Sequence, residues 1–467
     1  MDSRKQSRAH EAVAARKRSR RRGIGLIVAA VAVVGLVVFV FRQLPAHAPS
    51  ASLAGEAAVI KPPPPPPSEV SQFRMTDYEH GWMWYTDGVF KTTSDGGATW
   101  TVAAEGQRPQ LDAAPYRSEW SAALAEEPKP QTVTMDAKSY AVKQSQFLTN
   151  RLGWALVEDG SGLARPLLLT TDGGQSWQSE VTAVIKEAVQ AELQREALVA
   201  REAALYDTAD KAKQTMRAAW TITPNQTAPG DIVLVRHDQP GEVDWQGKKY
   251  TLQPFGSGYY TYLPVPLSTK TGVYPIGDQQ LTVKAKRFET QYLQVSEQLE
   301  SMRQDTNRII ADQKKIDLAR SKSAPEFLFD SPFVQPVQGI LTTPYGYTRY
   351  VNGKYDSSHL ALDLAAKEGT PIKATNDGIV VLSEMLYLTG NSIYIDHGMG
   401  LFSQYAHMSE LRVKTGDRVK KGDIIGLVGT TGFSTGPHLH FTFWAHNVQA
   451  NPNLFFDKLP TQWAVQP

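Results

Sequence analysis

The sequence predicts a mainly β, multidomain protein in which helices interrupt the strands at only three places. Three observations carry this reading. Two segments near the C-terminal end, Ser358–Leu364 and Gly436–Trp444, alternate polar and apolar residues with the period of two that marks a half-buried strand. A Gly-Trp element followed by an Asp-Gly-Gly turn and a second Trp occurs twice between residues 71 and 181. Closely spaced Gly and Pro break residues 222–292 into strand-length runs.

With 467 residues, 41% of them apolar, the chain is long enough for two to four domains with their own cores. The net charge of +2 excludes little, but its distribution is informative: Met1–Arg22 holds nine Lys or Arg against Asp2 and Glu11. A nucleic-acid arm is one reading of such a tail. The nineteen residues that follow, Gly23–Phe41, decide against it, because they carry no charged or strongly polar group and end at Arg42. As a helix they span about 28 Å, close to the hydrocarbon thickness of a bilayer. The excess of positive charge on the N-terminal side then leaves residues 1–22 as a cytoplasmic tail, 23–41 as a single transmembrane helix and the remainder outside the cell membrane. No nucleic-acid partner is expected. A cleaved signal peptide is the alternative, since Ala46-His47-Ala48 has the small-x-small form of a cleavage site. Against it, the apolar run is longer than a usual signal core and Pro49 follows at once. The absence of cysteine means that the exported parts hold by their cores, without disulfides.

Residues 42–70 are rich in Ala, Pro and Ser and contain Pro62–Pro67, a stiff spacer of about 3 Å per residue. In residues 71–181, Gly81-Trp82 precedes Thr93-Ser-Asp95-Gly-Gly97-Ala-Thr99-Trp100, and Gly153-Trp154 precedes Thr170-Thr-Asp172-Gly-Gly174-Gln-Ser176-Trp177. Both tails resemble Asp-box hairpins, in which the Asp side chain binds turn amides, the glycines take positive φ and the Trp packs beneath. These residues are structural. Two copies do not close a propeller of four or more blades, so either degenerate copies are hidden or this is a small β module. A folded spacer is one role for it; glycan or partner recognition through Trp82 and Trp84 is the other.

Residues 182–221 read as a helix, rich in Ala, Glu, Gln, Lys and Arg, with Ile185, Val189 and Leu193 along one face. Residues 222–292 read as a small β-sandwich. Residues 293–324 read as a second helix with a heptad seam at Val295, Leu299, Met302, Thr306, Ile309, Gln313 and Ile316. The two helices are expected to form an antiparallel hairpin with the β domain between its arms, a dimeric coiled coil being the alternative. Pro325 ends the second helix and opens the last domain, 325–467. Gly-centred turns at Asn376-Asp377-Gly378, Gly398, Gly416 and Gly422 make that domain all-β, with its site in a groove.

Within it, His359, Ala361 and Asp363 share one face of the first alternating segment, and His438, His440 and Thr442 share one face of the second. Two imidazoles and a carboxylate are the three protein ligands of a catalytic zinc site, which keeps its fourth tetrahedral position open. Such ligation suits zinc better than magnesium or calcium. His397 lies in phase with Ile393 and Ile395 on a buried face, His407 lies in phase with Ser403 and Tyr405 on a more polar one, and His446 has no motif partner, so His397 and His446 are left out of the site.

The order of His359-x-x-x-Asp363, Tyr405-Ala-His407 and Gly429-Thr-Thr-Gly-Phe-Ser-Thr-Gly-Pro-His438-Leu-His440-Phe441 resembles the lysostaphin-type zinc endopeptidases, also called the LytM family. Members of that family cleave peptides of bacterial peptidoglycan. The resemblance runs from about Pro332 to Phe455 and takes in Gly369-Thr-Pro371, Gly390-Asn391, Ile395-Asp-His-Gly398 and the turns Thr415-Gly-Asp417 and Lys421-Gly-Asp423. It implies a C-terminal LytM-type peptidase domain in which His359, Asp363 and His440 hold Zn2+, while His407 and His438 act as catalytic histidines whose separate roles stay open. Ala361 stands where the family usually has Gly, and Thr442 where it often has Glu. The function so implied is a membrane-anchored zinc metalloendopeptidase that hydrolyses stem or cross-bridge peptides of peptidoglycan during cell-wall remodelling. Its expected partners are the peptidoglycan peptide, the cytoplasmic membrane and an envelope protein met through the Asp-box or helical region. The alternative is a non-enzymatic envelope scaffold that uses the same fold to bind a hydrolase or secretion partner. A glycan-binding adhesin accounts for the N-terminal half only.

Overall fold

The computed structural model describes residues 68–104, 115–158 and 161–464, which form a mainly β chain. The basic tail 1–22, the apolar run 23–41 predicted as a transmembrane helix and nearly all of the 42–70 linker lie outside these residues. Among the described residues no helix is long and apolar enough to cross a membrane.

The first module is a pair of four-stranded antiparallel sheets. One contains Val70–Met75, Gly81–Tyr85, Phe90–Thr93 and Thr101–Val102; the other contains Thr132–Met135, Lys138–Phe147, Gly153–Val157 and Leu167–Thr170. Strand alternation sends Phe73, Met75 and Met83 of the first and Trp154, Leu156 and Leu169 of the second into one apolar core. The two repeat turns close with the same bonds. Asp95 accepts from the Thr93 hydroxyl at 2.8 Å and from the Thr99 amide and hydroxyl at 2.9 and 2.7 Å. Asp172 accepts from the Thr170 hydroxyl at 2.8 Å and from the Ser176 amide and hydroxyl at 2.9 and 2.6 Å. The indoles of Trp100 and Trp177 donate to the carbonyls of Gly97 and Gly174. Those glycines have φ of 92° and 93°, a region in which a side chain is strained. Trp82 is buried, 2% exposed, against Phe90, which corrects its reading as an exposed recognition residue.

The helix predicted over 182–221 is two helices, Ala183–Ala204 and Ala209–Arg217, capped by the hydroxyls of Thr182 and Thr208. They lead into the β domain, whose four-stranded sheet (Gln253–Phe255, Gly258–Pro264, Ile232–His237, Trp220–Thr223) and three-stranded sheet (Gln226–Thr227, Gln279–Val283, Gly272–Ile276) enclose Val233, Val235, Leu263 and Leu281. A fully buried ion pair ties helices to sheet. The Arg236 guanidinium donates to Glu202 at 3.1 Å and to the carbonyls of Thr215, Met216 and Ala218 at the end of the second helix, so the buried charges are paired and saturated.

The heptad seam of 293–324 does not form one helix. A strand, Thr290–Leu293, comes first, then a short helix Glu297–Met302, and after Arg303–Asp305 the helix Thr306–Ala319. Ser296 and Asp305 cap the two helices, and a side chain that caps a new helix offers the backbone an alternative to continuing the old one. The longer helix packs on the strand Gly378–Leu386 of the last domain, with Ile316 buried against Leu382, Leu386 and Tyr394. The seam is broken into two helices and its buried end, Ile316, is spent on a sheet, which corrects both the helical-hairpin and the coiled-coil expectation.

Nor does the chain divide cleanly at Pro325. Leu205, Phe255, Tyr260 and Tyr262 share one buried cluster with Phe327, Phe329, Phe333 and the C-terminal strands. The Phe327 ring lies 5.0 Å from that of Phe255 and 5.4 Å from that of Tyr260. The C-terminal sheet runs in the order Ile340–Thr343, Leu362–Ala365, His438–Ala445, Leu401–Leu411, Gly390–Gly398, Gly378–Leu386, Arg418–Val419. Its neighbours Leu362–Ala365 and His438–Ala445 carry the histidine and carboxylate motifs.

Candidate metal centre

Antiparallel pairing places Asp363 opposite His440 and Ala365 opposite His438. Because side chains alternate, the rings of His438 and His440 project to one face, as the sequence predicts. His359 arrives by another route. The strand begins only at Leu362, so His359 sits on the connection that follows Lys354–Ser358 and not on a strand face shared with Ala361 and Asp363. The Thr442 hydroxyl holds that connection by donating to the Leu360 carbonyl at 2.6 Å.

His407 requires a correction of phase. Ser403 and Tyr405 do not lie on a polar face: both are fully buried, Ser403 against His397, and Tyr405 with its hydroxyl accepting from the Thr375 amide at 2.8 Å. The pairing register shifts between Tyr405 and Met408, and His407 takes a φ of 62°. This bulge re-aims one side chain, as bulges do, and carries the His407 ring to within 4.9 Å of His438 and 5.7 Å of His440.

All five predicted site residues thus meet. His359 Nε2 lies 3.1 Å and His440 Nδ1 2.9 Å from Asp363 Oδ1, and the two nitrogens are 3.4 Å apart. Carbonyl oxygens fix three of the imidazoles, because a carbonyl only accepts. His359 Nδ1 donates to Pro344 at 3.2 Å, His407 Nδ1 to Thr431 at 2.8 Å and His438 Nδ1 to Gly436 at 2.8 Å. In the neutral rings, Nε2 is then the lone-pair nitrogen in each case.

Electrostatics agrees with a cation at the meeting point. Burial pushes His359 down toward its neutral form, although the Asp363 carboxylate pulls the other way. Burial opposes charge on Asp363, but the His359 and His440 rings against it outweigh burial and hold the carboxyl well below the usual range. A neutral imidazole lone pair therefore faces an ionised carboxylate oxygen, two acceptors that a positive ion between them reconciles. His359, Asp363 and His440 supply donor atoms within 4.8 Å of one another and fit a metal ion. Beside them His407 is buried and pushed down to about 3, chiefly by desolvation and then by its neighbours His440 and His438. A groove of about 390 Å3, walled by Leu293, Thr343, Phe433 and Pro437, opens onto the group.

His397 is a core residue, donating to the Asp377 carbonyl at 2.7 Å and bonded to Ser403 at 2.8 Å. His446 packs against Tyr250 and the Tyr262 carbonyl of the β domain. Sequence reasoning missed Arg349, whose Nη2 donates to Asp363 Oδ2 at 2.7 Å. No spacing or periodicity in its neighbourhood marks it.

Residues 357–452 match peptidase family M23. The chain carries an M23 peptidase domain. It is 43% identical over 95 residues to the peptidoglycan DD-endopeptidase ShyC of Vibrio cholerae, a match that spans 20% of this chain and 22% of that protein. It is 37% identical over 140 residues to an uncharacterized metalloprotease of Buchnera aphidicola, spanning 30% of this chain and 36% of the relative. Among solved structures, the catalytic domain of lysostaphin from Staphylococcus simulans is 34% identical, with 25% of this chain and 90% of that one covered at a TM-score of 0.23. The chain spans about a third or less of the length of these curated relatives.

Proposed function

We propose that this protein is a zinc metalloendopeptidase that hydrolyses peptide bonds in the stem or cross-bridge peptides of peptidoglycan. One observation supports it above the rest: three donor atoms, one each from His359, Asp363 and His440, converge, and two further imidazoles whose Nδ1 atoms are held by backbone carbonyls stand beside them. His359, Asp363 and His440 would hold Zn2+, which supplies an acidified water and a Lewis acid for the scissile carbonyl. His407 and His438 keep their Nδ1 protons on backbone carbonyls. Each therefore presents an Nε2 that takes a proton and returns it to a leaving amine, or donates to a developing oxyanion once charged. The groove seats an extended peptide alongside them.

The relatives' names support the substrate class, since ShyC is named as a peptidoglycan DD-endopeptidase. The apolar run 23–41 and its basic flank support anchoring in the cell membrane with the N-terminus cytoplasmic and the M23 domain outside. Purified peptidoglycan treated with the protein, with and without a zinc chelator, tests the reading by mass analysis of the fragments. New amino termini within stem or bridge peptides that the chelator abolishes are expected. Intact sacculi beside a zinc-loaded protein would overturn it in favour of a scaffold.

A further inference from the structure

Asp363 turns Oδ1 toward the histidines and Oδ2 away from them. Oδ2 accepts from Arg349 Nη2 at 2.7 Å. The same guanidinium donates from Nε to Gln291 Oε1 at 3.1 Å, and Gln291 Nε2 donates to Thr343 Oγ1 at 2.9 Å. Thr343 in turn lies opposite Asp363 in the large sheet. The four residues form a chain of bonds that runs from the carboxylate back to the strand paired with it. Gln291 reaches it because Thr290–Leu293 pairs in parallel with Thr348–Val351, setting Gln291 opposite Arg349. Both Gln291 and Arg349 lie upstream of residues 357–452, the span that matches the family.

A carboxylate ligand has two oxygens and a torsion to settle. A guanidinium bonded to one oxygen leaves the other as the single donor and fixes the plane, and outer partners of this kind commonly govern metal affinity. Arg349 is itself held flat by a second bond from Nε, which a lysine has no atom to make. We infer that Gln291 and Arg349 are positioning residues for Asp363, and that the strand Thr290–Leu293 makes the metal centre depend on the segment joining it to the β domain. This rests on Asp363 being a metal ligand; it does not require that peptidoglycan be the substrate.

Competition between the full-length protein and a chromophoric chelator for Zn2+ tests it, with Gln291→Ala, Gln291→Glu and Arg349→Ala beside the wild type. Arg349→Ala is expected to bind zinc about 10- to 100-fold more weakly. Gln291→Ala, which removes one hydrogen bond to the guanidinium, is expected to lose about 3- to 10-fold. Gln291→Glu keeps an acceptor for Nε and lets the Thr343 hydroxyl turn to donate, so it restores most of the affinity. Thermal unfolding of the metal-free proteins separates this from a general loss of fold, for which the midpoint would fall and Gln291→Glu would not restore binding. Wild-type affinity in Gln291→Ala, or a loss that Gln291→Glu leaves unrepaired, overturns the inference, and this pair decides it even where Arg349→Ala does not fold. A wild type that binds zinc yet leaves peptidoglycan intact would refute the proposed function and leave this inference standing.

Discussion

Replacing His440 by Ala and, separately, His438 by Ala should split metal binding from turnover on a single strand. His440 Nδ1 is one of three donors at the meeting point, 2.9 Å from Asp363 Oδ1. Structural zinc sites bind with roughly 10–16 kcal/mol. Shared over four ligands this is about 3–4 kcal/mol each, or roughly 10²–10³-fold in affinity. His440→Ala is therefore expected to lose zinc on dialysis and to lose hydrolysis in proportion. His438 stands further off, its Nε2 3.8 Å from Asp363 Oδ1 and its Nδ1 committed to the Gly436 carbonyl. Removing it leaves His359, Asp363 and His440 in place, so zinc content should hold while turnover falls by about 10²–10⁴-fold, the usual worth of a positioned acid or base. Elemental analysis of the dialysed variants, run beside peptidoglycan digestion, reads both quantities. Zinc loss from His438→Ala with retention in His440→Ala would reverse the assignment, and full activity in both would remove the site.

Other consequences are open to measurement. Asp172→Ala removes the acceptor of three turn hydrogen bonds and should destabilise the N-terminal module by about 1–3 kcal/mol in urea unfolding without changing zinc affinity; an unchanged midpoint would show the turn to be dispensable. Burial holds His397 at about 4 against an ordinary 6.5, so below pH 6.5 the unfolded chain binds the proton first and native stability falls by up to about 3 kcal/mol as pH drops toward 4. The stability gap between wild type and His397→Gln should narrow by about 2 kcal/mol from pH 7 to pH 5, and a constant gap would refute the shift. A fragment starting at Ser323 uncovers Phe327 and Phe329, which pack in one cluster with Phe255 and Tyr260, and should unfold at a lower temperature than the full chain; equal midpoints would show the shared core to be unimportant. Protease added outside intact protoplasts should remove everything beyond the proline hexamer, whereas protection of the His359–His440 region would reverse the proposed orientation.

Alternation made the shared face of His438 and His440, and the strand that carries Asp363, legible, because a period of two survives in any sheet that buries one face. What the sequence hid was every departure from that period. At His407 a register shift inverts the phase, so Ser403 and Tyr405 point to the core while His407 points to the site. At His359 the chain is turning between sheets, so its alternation with Asp363 is a coincidence of spacing. The seam of 293–324 repeats like a coiled coil, yet Asp305 restarts the helix and Ile316 finds a strand, since any apolar stripe serves a sheet as well as another helix. Arg349 acquires its partner Gln291 from 58 residues upstream, a distance over which no local pattern speaks.

The upstream domain also meets the far end of the strand that carries His438 and His440. That strand ends at Ala445, and His446 packs on Tyr250 while its Nε2 lies 3.1 Å from the Tyr262 carbonyl. Gly400, at a φ of 82°, leaves room for the ring, where a Cβ would strike it. The β domain therefore holds one end of this strand through His446, and the segment that leaves it, Thr290–Leu293, holds Arg349, which bonds to Asp363. Two of the three donors, Asp363 and His440, face one another in the register of Leu362–Ala365 and His438–Ala445, so a slide of either strand would separate them. A frame fixed at both ends of that pair resists such a slide, because packed interfaces settle into discrete arrangements and do not deform continuously. The β domain and the segment that follows it thereby bear on the geometry of the donor atoms.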